Sequence, residues 1–200
     1  MFNHVHLKNP GLTISSLPPD IFQAVMQEIK EVEVNPSGYA RMNKTLAGQI
    51  EHEYELKKSN HLLCPFVEAM AKSYAENWDY YPGHDYKAET PWVNFQKKTE
   101  YNPLHNHTGK LSYVCWMQIP YRLQDEFELE RSKHSNYNVA STFEFVYTTV
   151  IGKITKQKLD IDQDWAGRII MFPNELAHAV YPFFTSDEHR ISVAASGNCG

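Results

Sequence analysis

The chain has 200 residues, 42% of them hydrophobic and 22% charged, with a formal net charge of −5. That balance belongs to a globular protein with room for a real core, and it excludes disorder, collagen and a long coiled coil. There is no basic footprint, so no nucleic-acid partner is expected, and the longest apolar runs, such as Arg168–Phe172, are far too short to span a bilayer.

The start, Met1-Phe2-Asn3-His4-Val5-His6, lacks the basic segment and apolar core of a secretory signal. Three cysteines (Cys64, Cys115 and Cys199) without CxxC spacing argue against a disulfide framework or a cysteine zinc site, and for a reducing, cytoplasmic setting. Residues 4–14 read as an edge strand broken at Asn9-Pro10-Gly11, with His4 and His6 on one face but nothing downstream to complete a site. Pro18-Pro19-Asp20 opens a helix to about residue 33, whose inner face is Ile21, Phe22, Val25, Met26, Ile29 and Val32. Glu51, Glu53 and Glu55 read as one solvated face. A second helix follows Ser59-Asn60 and runs to about Trp78, with Leu62, Leu63, Phe66, Val67, Met70 and Tyr74 as its stripe.

From residue 90 the pattern shifts to short β-branched and aromatic runs between turn residues. Strands are expected at 92–96, 105–119 with a break near Thr108-Gly109, 142–151, 153–159, 167–172, 178–181 and 190–195. The polar connection 121–140 is long enough to be a lid or a surface excursion. Two helices followed by this run of strands predict a mainly β sandwich or barrel with helices on one face. The expected organisation is one domain over 1–200, mostly helical in 1–89 and strand-rich in 90–200.

The histidines are the candidates for chemistry. On a strand, His105-x-His107 puts two imidazoles on one face, where they can chelate a metal. Further on, the apolar strand Gly167–Pro173 leads to His178, and Arg190-Ile191-Ser192 follows twelve residues later. Cys115, mid-strand, reads as a small core residue. No phosphate-cradling glycine loop, G-x-S-x-G elbow or Ser-His-Asp spacing is present.

Trp92-x-Asn94, Asn102-Pro-Leu-His105-Asn-His107-Thr-Gly-Lys-Leu-Ser112-Tyr-Val, Gly167-Arg-Ile-Ile-Met-Phe-Pro173, Leu176-x-His178 and Arg190-x-Ser192 together resemble the 2-oxoglutarate- and Fe(II)-dependent oxygenases of bacteria and their phages. Leu46-Ala47-Gly48-Gln49-Ile50-x-x-Glu53-Tyr54-x-Leu56 resembles an N-terminal motif of the same proteins, so the likeness spans nearly the whole chain. It implies a double-stranded β-helix, the jelly-roll or cupin-like fold. It also implies Fe(II) as cofactor, 2-oxoglutarate as co-substrate, and hydroxylation of a small-molecule or peptidyl substrate with release of succinate and CO₂.

Such enzymes hold iron with two histidines and a carboxylate. His105 and His178 match the outer ligands, but the carboxylate position is His107. Three arrangements stay open: an all-imidazole set of His105, His107 and His178; His107 as first ligand with Gly109 at a vacant position; or a carboxylate from Glu100 or Glu144. The resemblance gives Arg190 and Ser192 the distal carboxylate of 2-oxoglutarate, for which a guanidinium fork is suited. Trp116 stands where relatives place a tyrosine reaching the same carboxylate, and Asn94 faces the pocket in relatives. Tyr101, Trp116 and the 121–140 connection are candidates for pocket wall and lid. Two other readings are a three-histidine iron dioxygenase that uses no 2-oxoglutarate and a metal-free jelly-roll binding module; neither needs a buried guanidinium at that spacing. Substrate identity and oligomeric state are not encoded in these motifs.

Overall fold

The computed structural model describes residues 11–78 and 85–199, so His4, His6 and most of the expected loop at 81–85 lie outside the described residues. Helix α1 (Pro19–Val34) starts where two prolines preset the backbone, and α2 (Asn60–Trp78) follows Ser59; both match their expected spans. The strands are β1 (Thr13–Ser16), β2 (His52–Glu55), β3 (Tyr86–Ala88), β4 (Trp92–Gln96), β5 (Asn102–His105), β6 (Leu111–Gln118), β7 (Phe143–Thr148), β8 (Ile154–Leu159), β9 (Arg168–Pro173), β10 (Ala177–Val180) and β11 (Arg190–Cys199).

They form two antiparallel sheets. The large one has the order β1-β9-β6-β11-β4-β2, with β3 also paired to β11, and the small one runs β5-β10-β7-β8. This is the expected double-stranded β-helix. The part before residue 90 is not simply helical, because β1, β2 and β3 are strands of the large sheet. Strands β2 and β3 are only four and three residues long and carry too few apolar side chains to show a period of two. The expected strand 105–119 is two strands in two sheets. The chain reverses between them at Gly109, whose φ of +105° suits a residue without Cβ.

The pleat of the large sheet sorts its side chains. Val93, Phe95, Tyr113, Cys115, Ile169, Met171, Ile191 and Val193 face α1 and α2 in one core, against Val25, Ile29, Leu63 and Val67. Their neighbours Trp116, Ile170 and Phe172 face the small sheet and pack with Phe143, Phe145 and Phe183. Cys115 is a core residue, as expected.

The 121–140 connection contains α3 (Leu123–Glu128) and α4 (Glu130–Lys133) and is tied down. Buried Glu126 accepts from the Phe184 and Thr185 N–H groups at 2.9 and 2.7 Å, and Leu123 N–H donates to Asp162 at 3.0 Å. None of residues 122–140 lines the cleft between the sheets, which argues against the lid reading.

One carboxylate joins the two long helices. Glu28 of α1, 2% exposed, accepts from the N–H groups of Lys57, Lys58 and Ser59 and from Ser59 Oγ, at 2.7–2.8 Å. These donors sit at the entry to α2, where backbone N–H groups otherwise lack partners. Glu28→Ala should therefore lower unfolding free energy by about 2–3 kcal/mol, since four donors, the two of Ser59 buried, lose their carboxyl acceptor at once. Urea denaturation measures it; a loss under about 0.5 kcal/mol would show that water replaces the carboxylate at no cost.

Candidate metal centre

Strands β5 and β10 pair so that His105 and His178 lie directly opposite each other. Side chains in that relation point the same way with Cβ atoms about 5 Å apart. His107, two residues on, sits in the turn after β5, held by its N–H on the Asn174 carbonyl at 2.9 Å. One ring nitrogen from each of the three histidines lies within 4.8 Å of the others. Bonds of about 2.1 Å from one ion can span that cluster with small side-chain adjustments.

The second ring nitrogens help to aim the first. His105 Nδ1 contacts the Pro103 carbonyl at 2.7 Å, and His178 Nδ1 the Leu176 carbonyl at 2.9 Å. A carbonyl only accepts, so these nitrogens carry hydrogen and leave Nε2 for a metal. Phe143 stacks on the His178 ring at 5.3 Å and Phe172 meets it edge-on at 4.9 Å. Burial pushes His178 down to about 3 and His107 down to about 4, with repulsion from His105 as the second cause in both. Both are thus neutral donors at physiological pH, the form that binds Fe(II).

The carboxylates once in contention are engaged elsewhere. Glu100 accepts from Glu51 N–H at 3.0 Å and Lys97 N–H at 2.7 Å. Glu144 accepts from the Tyr137 and Tyr181 hydroxyls and pairs with Lys156. Gly109 takes part in the turn beyond the cluster.

A cleft partly open to solvent extends from the histidines between the sheets. Arg190, Ser192, Trp116 and Asn94 line it, as expected; Tyr101 does not. Arg190 is 2% exposed rather than paired with Asp187 at the surface, and Asp187 instead meets Lys98 at 2.5 Å. Its guanidinium donates to Gln96 Oε1 (2.8 and 3.2 Å), Tyr121 Oη (2.9 Å) and the carbonyls of Ser141 (3.0 Å) and Tyr181 (2.8 Å). Every acceptor is neutral. A buried cation without a counter-ion is costly, so an anionic ligand fits this end of the cleft. Gln96 shares its amide oxygen between two guanidinium nitrogens. Ser192 Oγ accepts from Asn94 Nδ2 at 3.2 Å. Trp116 packs edge-on against Trp165 and Phe143 and serves as wall.

Three residues of the cleft and its support carried no readable motif, and a fourth, Glu53, stood in a motif but was expected to face solvent. Gln96 and Tyr121 hold the guanidinium. Asn174, fully buried, braces the histidine turn: its side chain donates to the Thr108 carbonyl and accepts from Ser112 Oγ at 2.7 Å. Glu53, expected in solvent, is 0% exposed and lines the cleft. Its carboxyl is pushed up to about 7, first by burial and then by Glu100. Strand register places Gln96 and Glu53 on the cleft face, and hydrogen bonds distant in sequence place Tyr121 and Asn174.

Residues 90–196 match the profile of a family described as "Putative 2OG-Fe(II) oxygenase". No curated protein matches the chain in sequence. Solved structures share its fold at low identity. A prolyl-4-hydroxylase of Pseudomonas putida aligns with TM-score 0.61 and 11% identity, covering 95% of this chain and 93% of that one. The viral collagen prolyl hydroxylase of Paramecium Bursaria Chlorella virus-1, solved with 2OG, gives 0.53 and 10% over 94% and 96%. A Trichoplax adhaerens prolyl hydroxylase, solved with a hypoxia-inducible factor peptide, gives 0.53 and 11% over 95% and 84%.

The histidine environment makes a pH prediction for the metal-free protein. An unfolded histidine titrates near about 6.5, so below that pH the unfolded chain takes up protons that folded His178 and His107 refuse. Stability tied to them is complete above about 6.5 and falls as pH drops towards their folded values. At pH 5 each should cost the fold about 2 kcal/mol relative to pH 7. Comparing urea midpoints of the parent and His178→Gln at the two pH values isolates the effect; identical pH slopes would show that His178 titrates as in solution.

Proposed function

The chain belongs to the 2OG-Fe(II) oxygenase family, and on that premise we propose that it is a hydroxylase holding Fe(II) on His105, His107 and His178 and 2-oxoglutarate on Arg190 and Ser192. The observation that carries this reading is the meeting of three imidazoles in the same cleft as a buried guanidinium whose hydrogen-bond acceptors among the described residues are all neutral. When bound there, the metal supplies oxidising chemistry: one oxygen atom of O₂ goes to a substrate C–H bond and the other to 2-oxoglutarate, which leaves as succinate and CO₂.

The residues do the rest. If the three imidazoles hold the metal, they would supply only three donors and so would leave positions for the co-substrate and O₂. Arg190 offers a fork to the distal carboxylate, and Ser192, two residues along the same strand face, adds a hydroxyl. Trp116, Phe143 and Phe172 keep water from the inner wall, and Asn174 holds the histidine turn in place. We take residues 1–200 as one domain, because strands from before residue 90 complete the sheet that bears Arg190. The substrate is a small molecule or a peptidyl group, and the free cysteines Cys64 and Cys115 suit a reducing, cytoplasmic compartment. Among the described residues no helix is long and apolar enough to cross a membrane.

Two predictions test the assignment. Arg190→Ala should weaken 2-oxoglutarate binding by two to three orders of magnitude or more, the equivalent of about 3–5 kcal/mol for a lost buried partner, with Mn(II) affinity nearly intact. Arg190→Lys, which keeps the charge but not the fork, should also bind the co-substrate at least tenfold more weakly. Unchanged calorimetric affinity in both variants would remove Arg190 from the site.

His107→Ala should lose most metal, and His107→Asp should keep it by restoring a carboxylate to the set. With only neutral ligands, the parent should hold Fe(II) more tightly once dianionic 2-oxoglutarate is present. A His107→Ala protein that binds Fe(II) as well as the parent, with and without 2-oxoglutarate, would place the third ligand elsewhere. Succinate formation with O₂ uptake on adding 2-oxoglutarate separates this reading from a three-histidine dioxygenase that does not use it.

A further inference from the structure

Glu53 is the unexplained charge of the cleft. Strand β2 pairs with β4 so that Glu53 lies opposite Asn94, Asn94 opposite Ser192, and Ser192 opposite Trp116. The four form one row across the large sheet, and all four line the cleft. Glu53 is wholly buried, and its Oε1 has no hydrogen-bond partner. Its Oε2 takes only a 3.2 Å contact from Asn43 Nδ2. No cation pairs with it among the described residues, since Arg190 gives its N–H groups elsewhere. A buried carboxylate oxygen without a donor is costly enough to need a reason.

The neighbouring segment brings a second acceptor oxygen close to that one. A Cβ on Gly48 would stand 2.8 Å from Glu53 Oε1 and 2.5 Å from Asn102 Oδ1, closer than side-chain atoms approach. Two acceptor oxygens therefore converge at a corner against Gly48, on the edge of the cleft that Glu53 and Asn102 both line. Leu46 and Ala47 border the cleft beside it, and Gln49 N–H fixes the segment to the Tyr101 carbonyl at 2.8 Å. Within the Leu46–Glu53 motif, the glycine thus lets both oxygens approach its backbone and the glutamate supplies the carboxylate.

We propose that this corner, Glu53 Oε1 with Asn102 Oδ1, receives a substrate ammonium group, so that the substrate class is a primary or secondary amine. The inference rests on the oxygenase reading above and adds to it the chemistry of the group to be recognised. An ammonium brings several N–H donors and a positive charge, and so meets two converging acceptors and an uncompensated carboxylate together. A hydroxyl brings one donor and no charge.

The test uses the Mn(II)- and 2-oxoglutarate-loaded protein at pH 7.5, with n-butylammonium as probe and n-butanol as its neutral control. Bound Mn(II) speeds the relaxation of nearby ligand protons, which reports both binding and proximity to the histidines. Butylammonium should bind the parent at least tenfold more tightly than butanol. Glu53→Gln, nearly isosteric but uncharged, should lose at least tenfold of the ammonium affinity while butanol is unaffected. Gly48→Ala, which keeps the charge and fills the corner, should lose ammonium binding too and serves as the independent variant. Equal relaxation by the two probes on the parent, or full ammonium binding by both variants, overturns the proposal. Water-proton relaxation in the same samples reports Mn(II) occupancy; its absence would overturn the metal reading itself, and with it the claim that the ammonium belongs to a substrate.

Discussion

The large sheet is covered on one face by α1 and α2, and that cover determines what its other face can be. A pleated strand presents successive side chains to opposite sides. Once Val93, Phe95, Ile191 and Val193 are sealed against the helices, Trp92, Asn94, Gln96, Arg190 and Ser192 must face the small sheet. A one-residue slip in β4 or β11 would drive Arg190 or Gln96 into the apolar core. The apolar face thus fixes the register, and the register delivers the polar row of the cleft. The small sheet is placed by its own aromatic contacts on Ile170 and Phe172, which bring His105 and His178 to the facing wall.

The cleft holds ionisable groups of three kinds, kept apart. Arg190 at one end is positive and bonded only to neutral oxygens. Burial favours the neutral form of His107 and His178 at the centre. Glu53 on the β2 side is a carboxylate whose proton burial retains up to about pH 7. None of these groups neutralises another. Each desolvation cost is borne by the fold, which has a continuous helix-to-sheet core in reserve, and each is offset only when something of opposite character enters.

Much of the architecture was legible from periodicity. Both long helices and most strands fell where their apolar spacing put them, because these elements are long enough to show a period. The two shortest strands were not, and β2 mattered most. Its sequence, His-Glu-Tyr-Glu, is what a solvent-facing segment looks like. Only its pairing with β4 turns Glu53 inward. The histidines and Arg190 were readable because their residue types and spacings are uncommon. Tyr121, Gln96 and Asn174 were not, since a tyrosine, a glutamine and an asparagine in such contexts have many ordinary uses. Their roles follow from hydrogen bonds spanning 69, 94 and 62 residues of chain to Arg190 and Ser112, distances over which local pattern is silent.

Asn174 carries a consequence for how the protein acquires its ion. One side chain ties the turn after His107 to β6, and its backbone carbonyl takes the His107 N–H, four residues before His178 in the chain. The three imidazoles are therefore held together by contacts of the fold itself. An all-nitrogen cluster does not select strongly among first-row divalent ions, whose intrinsic affinities rise from manganese through iron to copper. Copper or zinc would win an open competition for such a cluster. Occupancy by iron is then a property of the surroundings as much as of the protein, set by which free ions the compartment keeps scarce.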